Sequence, residues 1–160
     1  MLISHMKILS ALTLFLAVYV TSTSARVGEN ETELQTRYGE SVGNIPTEGL
    51  GPMRSFKSGG YIIGVVLENG VSEMEMFAKA NQANMTASEI QNLLKGNGAG
   101  EWKAEQTGKP NWRRWRREDN AQVGLYDASR HFLYISSKKF YEEKGKNMEK
   151  REPEKAKDAA

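Results

Sequence analysis

The sequence has no cysteine, only two histidines and only four prolines in 160 residues. Without cysteine there is no disulfide scaffold, no thiol nucleophile, no cysteine-ligated zinc or cluster, and no lipid on an N-terminal cysteine. Charge of one sign is lacking too: 22 Lys and Arg stand against 20 Asp and Glu. That balance argues neither for a dedicated polyanion binder nor for a disordered acidic tail protein, and no specific binding of nucleic acid is expected. The longest apolar run, residues 8–20, falls short of the roughly 20 residues that a membrane span needs. It follows Lys7 and ends before Thr23, Ser24 and Ala25, a run of small residues. This order reads as a secretory signal peptide over residues 1–25, cleaved after about Ala25 and leaving no stable membrane span. The protein is therefore expected to be secreted or periplasmic, and a secreted chain without cysteine suits a bacterial envelope.

What remains after the signal is roughly one-third apolar, low for a globular domain, so the core should be small. The remainder reads as a single small domain over 26–141 and a charged tail over 142–160, disordered or frayed-helical. Residues 30–39 have the marks of a short helix. Asn30 caps it, Glu33 answers the cap and the dipole, Leu34 and Tyr38 share a face, and Gly39 supplies the stop. Residues 40–60 carry seven Gly or Pro and read as an irregular crossing.

Tyr61 to Leu67 is strand-like, and Asn69-Gly70 is the favoured two-residue hairpin turn before the return strand from Val71 to Phe77. Pairing across that turn sets Leu67 opposite Ser72, Val65 opposite Met74 and Ile63 opposite Met76. One face is then dry, and Glu73 and Glu75 fall with Phe77 on the mixed face. A helix through 71–80 is the competing reading. A second helix is punctuated by Thr86 as cap, Glu89 completing the capping box, and a staple from Met85 to Ile90. Its stripe is Ile90, Leu93 and Leu94, and 96–98 end it. The last hairpin, 121–137, closes with a three-residue loop over 128–130. That loop puts Val123 opposite Ile135, Leu125 opposite Leu133, Asp127 opposite His131, and Tyr134 over Gly124. The expected fold is α+β, an antiparallel sheet of four or five strands with two short helices packed on one face. Helix then hairpin occurs twice, over 30–77 and 86–137, without enough matching residues to mark a duplication.

Several short motifs occur in order: Arg37-Tyr38-Gly39, Ser58-Gly59-Gly60-Tyr61, Ile63-Gly64-Val65, Asn69-Gly70-Val71, Glu89 to Leu94, Gly100-Glu101-Trp102 and Trp115-Arg116-Arg117. Together they resemble a set of small, uncharacterised secreted bacterial proteins over roughly residues 33–137. The motifs are caps, turns and core residues, and the resemblance implies no activity, cofactor or catalytic residue. A weaker similarity in pattern is to small periplasmic domains related to beta-lactamase inhibitory protein and to the outer-membrane assembly lipoproteins. The chain lacks the lipid-bearing cysteine of the latter.

Four constellations invite chemistry. His131 facing Asp127 has the form of a general-base pair, and equally of a polar pair beside a turn. Glu73 and Glu75, roughly 7 Å apart on one strand face, would suit a hard cation or a sugar, and equally a solvated strand face. The glycine-rich 96–100 follows a helix instead of preceding one, so it is no phosphate loop. The run from Trp112 to Arg117 interleaves Trp and Arg. Its solvent face, Trp112 with Arg114 and Arg116, is the candidate anion-binding patch, with Trp115 expected to be buried. The alternative is that these arginines cover the sheet and pair with acids. No catalytic residue, metal ligand or cofactor is assigned, and the chain is not expected to be an enzyme. The expectation is a secreted non-catalytic module that binds a protein partner or an anionic envelope polymer. An inhibitor-like or assembly-factor-like domain that recognises another protein is the alternative, and a small hydrolase the third reading.

Overall fold

The computed structural model describes residues 26–47 and 49–150. The expected signal over 1–25 and the end of the expected tail, 151–160, lie outside the described residues. Eight strands form one antiparallel sheet in the order β1-β2-β3-β4-β8-β7-β6-β5. They are β1 (Gly43–Ile45), β2 (Met53–Ser58), β3 (Tyr61–Glu68), β4 (Val71–Lys79), β5 (Trp102–Glu105), β6 (Trp112–Arg117), β7 (Gln122–Asp127) and β8 (Phe132–Ser137). Helix α1 (Glu31–Tyr38) precedes the first four strands, and α2 (Ala87–Gly96) precedes the last four. The chain thus runs helix and four-stranded meander twice, and the two meanders meet where β4 pairs with β8. A C-terminal helix, α3, starts as one turn over Lys138–Phe140, loosens to a π turn over Tyr141–Gly145 and finishes over Lys146–Lys150.

Both leading helices are set by their caps. Asn30 and Glu33 form a reciprocal capping box on α1, and Thr86 and Glu89 do the same on α2. Each box satisfies two backbone N–H groups that a helix start leaves without partners. Leu34 and Tyr38 of α1, with Ile90 and Leu94 of α2, pack on one face of the sheet against Phe56, Ile63, Val65, Phe77, Trp115, Tyr126, Leu133 and Ile135. The opposite face carries a second apolar cluster, with Met53, Val66, Met74, Met76, Trp112, Val123, Leu125 and Tyr134 joined by Phe140 and Tyr141 of α3. Two covered faces replace the one small core that composition suggests.

The expected sheet of four or five strands with two helices is therefore too small. The glycines and prolines of 40–60 do not abolish strands but separate them. Gly59 and Gly60, both at positive φ, make the tight turn between β2 and β3, while Pro46, Gly49, Gly51 and Pro52 occupy the β1–β2 connection. Strand β5 is a short edge with one apolar anchor, Trp102, too little for the alternation to register. The third helix begins at Lys138, four residues before the expected tail, and runs into it; Phe140, Tyr141 and Met148 pack onto the second cluster.

Both hairpin registers also differ from the sequence reading. The Asn69-Gly70 turn is as expected, with both residues at positive φ and Leu67 opposite Ser72. A bulge then intervenes: Val66 pairs with Met74, Val65 with Glu75 and Ile63 with Phe77, which leaves Glu73 as the extra residue. Past the bulge every residue of β4 changes face. In the second hairpin Asp127 pairs with Phe132, so the loop has four residues, 128–131. Asp127 sets it by accepting from the backbone N–H groups of Ser129 and Arg130 with Oδ1, and His131 closes it at φ 62°. Val123 consequently faces Ser136 and Leu125 faces Tyr134, and Leu94 and Trp102, not Tyr134, lie over Gly124.

Candidate functional site

A broad concavity lies on the second face, where β2, β3, β4 and β8 form its floor and the β1–β2 connection forms one wall. Its volume is about 710 Å³, within the roughly 300–1,000 Å³ of small-molecule sites. Met53 and Met76 form the floor with Ile62 and Ala78, and Ile45 and Leu50 stand at the wall. Gly64 makes that floor possible. A Cβ there would stand 1.9 Å from Met53 Sδ and 3.3 Å from Met76 Cε, so only glycine lets the Met53 thioether cross β3. At the end where the 78–82 segment and the 128–131 loop come together, the lining turns polar, with Gln82, Ser129, Arg130 and His131. Sequence reasoning missed this groove because the swap at Glu73 moves Met74 and Met76 to the face of Val66. Met53 lies in a stretch read as irregular.

The polar end is held by specific contacts. His131 Nδ1 lies 2.7 Å from the Gln82 carbonyl oxygen. A carbonyl only accepts, so Nδ1 carries the proton in this contact. Gln82 and His131 are both in the left-handed region, at φ 58° and 62°. Below them Asp127 is only 1% exposed, and Arg130 Nε stands 3.9 Å from its Oδ2. Burial, and then the charge of Asp127, push the Tyr134 phenol up to about 12, with Arg130 acting in the opposite direction. The expected His131–Asp127 pairing is not formed, because the fourth loop residue carries His131 past Asp127 to Gln82.

Strand β6 presents its residues on the expected faces, but Trp112 is not at the surface. It is 7% exposed among the apolar residues of the second face, and Trp115 is buried on the helix side. Trp112 lines a smaller hollow of about 390 Å³ with Arg114, Tyr141 and Glu149. Arg114 donates to Glu105 at 2.7 Å, to the Tyr141 hydroxyl at 3.0 Å and to Glu149 at 3.3 Å. Arg116 donates to the same Glu105 at 2.8 Å and to Asn120 at 3.2 Å. Hydrogen bonds from Arg116 and Arg114 hold the Glu105 carboxyl below its usual range, against burial. An arriving polyanion would have to displace Glu105 from both guanidinium groups and Glu149 from that of Arg114. The structure also separates the two strand glutamates: Glu73 accepts from the Ser137 hydroxyl, while Glu75 is wholly buried beneath α1.

No family model matches the chain, and no curated protein matches it. Among solved structures, a cysteine-rich secretory protein from Staphylococcus aureus is similar over 72% of this chain at 8% identity and a TM-score of 0.39. The chain spans 44% of that protein's length. A DUF4309 family protein from Bacillus subtilis is similar over 71% of this chain and 82% of its own, again at 8% identity and a TM-score of 0.39. Likenesses this distant carry nothing about what the chain binds.

Proposed function

We propose that the protein is a secreted, non-catalytic binding module whose ligand is an apolar molecule held in the groove over Met53 and Met76. The observation that carries this reading is the groove itself: about 710 Å³, floored by thioethers and aliphatic side chains, with polar groups gathered at one end. An apolar recess with a few convergent polar groups is the usual form of a small-molecule site. Methionine suits it because its unbranched, polarisable chain adapts to irregular apolar shapes. The non-catalytic part rests on how the candidate groups are engaged. Asp127 is committed to its own loop, His131 to Gln82, and the β6 arginines to Glu105, Glu149 and Asn120. Secretion rests on the leader read from residues 1–25.

Titration with Nile red, a neutral apolar dye, tests the proposal. Saturable binding at one site per chain is expected, with its fluorescence raised in the groove. Ala78→Trp should fill the floor and remove binding while the melting temperature stays near that of the unmodified protein. Absence of saturable binding by the unmodified chain would refute the reading and favour recognition of a protein through the sheet.

A further inference from the structure

We infer that the ligand of the groove is a single-chain amphiphile, with an unbranched hydrocarbon tail over Met53 and Met76 and an anionic head at Arg130. The inference rests on the groove reading above and adds the chemical class of its occupant.

The tail follows from what the floor lacks. It is the face of a sheet: β2 pairs with β3 from Met53 to Ser58, β3 with β4 on both sides of the bulge at Glu73, and β4 with β8 from Met74 to Phe77. The middle of the groove therefore offers side chains only. A peptide laid there would bury amide groups without partners, each costing roughly a lost hydrogen bond, whereas a hydrocarbon chain has none to lose. Met53, Met76, Ile62, Ala78, Ile45 and Leu50 present carbon and sulfur along its length.

The head follows from the distribution of charge. The described lining residues include Lys79, Arg130 and His131 and no Asp or Glu. Lys79 is committed elsewhere, since its Nζ lies 2.8 Å from Glu89 of α2 on the opposite face. Arg130 is held more loosely. Its Nε is 3.9 Å from Asp127 Oδ2 and its guanidinium also donates to the Tyr134 hydroxyl, yet its side chain is 43% exposed and keeps donors turned to solvent. A guanidinium has five N–H donors in a planar fork, which matches the two oxygens of a carboxylate or phosphate head. Asp127 is buried beneath the loop, with Oδ1 already accepting from the Ser129 and Arg130 backbone N–H groups, so it draws on the guanidinium only through Oδ2 at 3.9 Å. The Gln82–His131 contact closes this end, which keeps the head beside Arg130.

Calorimetric titration of the unmodified protein with decanoate, decyl phosphate, decanol and decyltrimethylammonium, all below their micelle concentrations, separates tail from head. The two anions should bind at least about tenfold tighter than the alcohol or the cation, the size of one charge-assisted contact. The tighter anion identifies the head as carboxylate or phosphate. In Arg130→Gln the anions should weaken to the level of decanol, with decanol unchanged. Equal binding of all four by the unmodified protein would overturn the assigned head and leave the apolar groove standing. If Nile red binds and none of the decyl compounds does, the amphiphile is overturned alone. The comparison of heads on the unmodified chain decides the matter even where the variant fails to fold.

Discussion

The Tyr38 hydroxyl donates to Glu75 Oε2 at 2.9 Å between α1 and β4, with both side chains withdrawn from water. The second oxygen, Oε1, has no hydrogen-bond partner among the described residues. Burial pushes the Glu75 carboxyl up to about 7, against the opposing pull of the Tyr38 hydrogen bond and the Arg37 charge. A carboxylate this dry is costly when ionised, so the fold favours the protonated acid.

Stability should therefore fall as the pH rises through neutrality. The folded value of about 7 lies above the ordinary 4.5, so the contribution of Glu75 is complete below about pH 4.5 and is lost as pH passes 7. Glu105 and Asp119, held low by arginines, act in the opposite sense at more acid pH. Thermal melts should show a lower melting temperature at about pH 8.5 than at about pH 5.5, by the equivalent of roughly 2 kcal/mol. Glu75→Gln should flatten that slope. A melting temperature that rises over this interval would contradict the assignment.

Gly124 should tolerate no side chain. A Cβ there would stand 2.5 Å from Leu94 Cδ2 and 3.5 Å from Trp102 Cζ3, under a helix residue that is itself fully buried. Gly124→Ala should cost about 1–3 kcal/mol in chemical denaturation, as overpacking of a core does. Gly64→Ala should cost less, because Met53 can swing into the open groove, and should weaken Nile red binding. Equal stability losses with unchanged dye affinity would show that Met53 does not form the floor.

The β6 arginines should behave as structure. Replacing Arg114 and Arg116 together by alanine strips Glu105 of both partners and Glu149 of one, and should destabilise the protein by about 1–2 kcal/mol. Heparin titrated at about 0.15 M salt should produce no saturable change in tryptophan fluorescence. Saturable binding that disappears in the double variant, with the melting temperature kept, would restore Trp112, Arg114 and Arg116 as an anion patch.

Local signals were legible where the chemistry is local. The capping boxes of α1 and α2, the Asn69-Gly70 turn and the face partition of β6 all follow from neighbouring residues. Register did not follow, because both faces of the sheet are covered. With Val66, Met74 and Met76 as apolar as Ile63, Val65 and Phe77, a one-residue slip leaves the alternation equally good. The deciding features were the bulge at Glu73 and the Asp127 side chain in its loop, and neither changes the hydrophobic pattern. The groove was hidden for the same reason, since Met53, Gly64 and Met76 come together only in the bulged register.

The central claim is that a ligand lies over Met53 and Met76, and methionine-methyl NMR tests it most directly. The spectrum should be recorded on the protein labelled at its methionine methyl groups, with and without decanoate. Met53 and Met76 line the groove, whereas Met85 is buried with the α2 residues on the opposite face and serves as an internal control. The account predicts saturable shifts of the Met53 and Met76 methyl signals, with Met85 unmoved. Saturable binding that shifts Met85 or no methyl at all, leaving Met53 and Met76 in place, would contradict it.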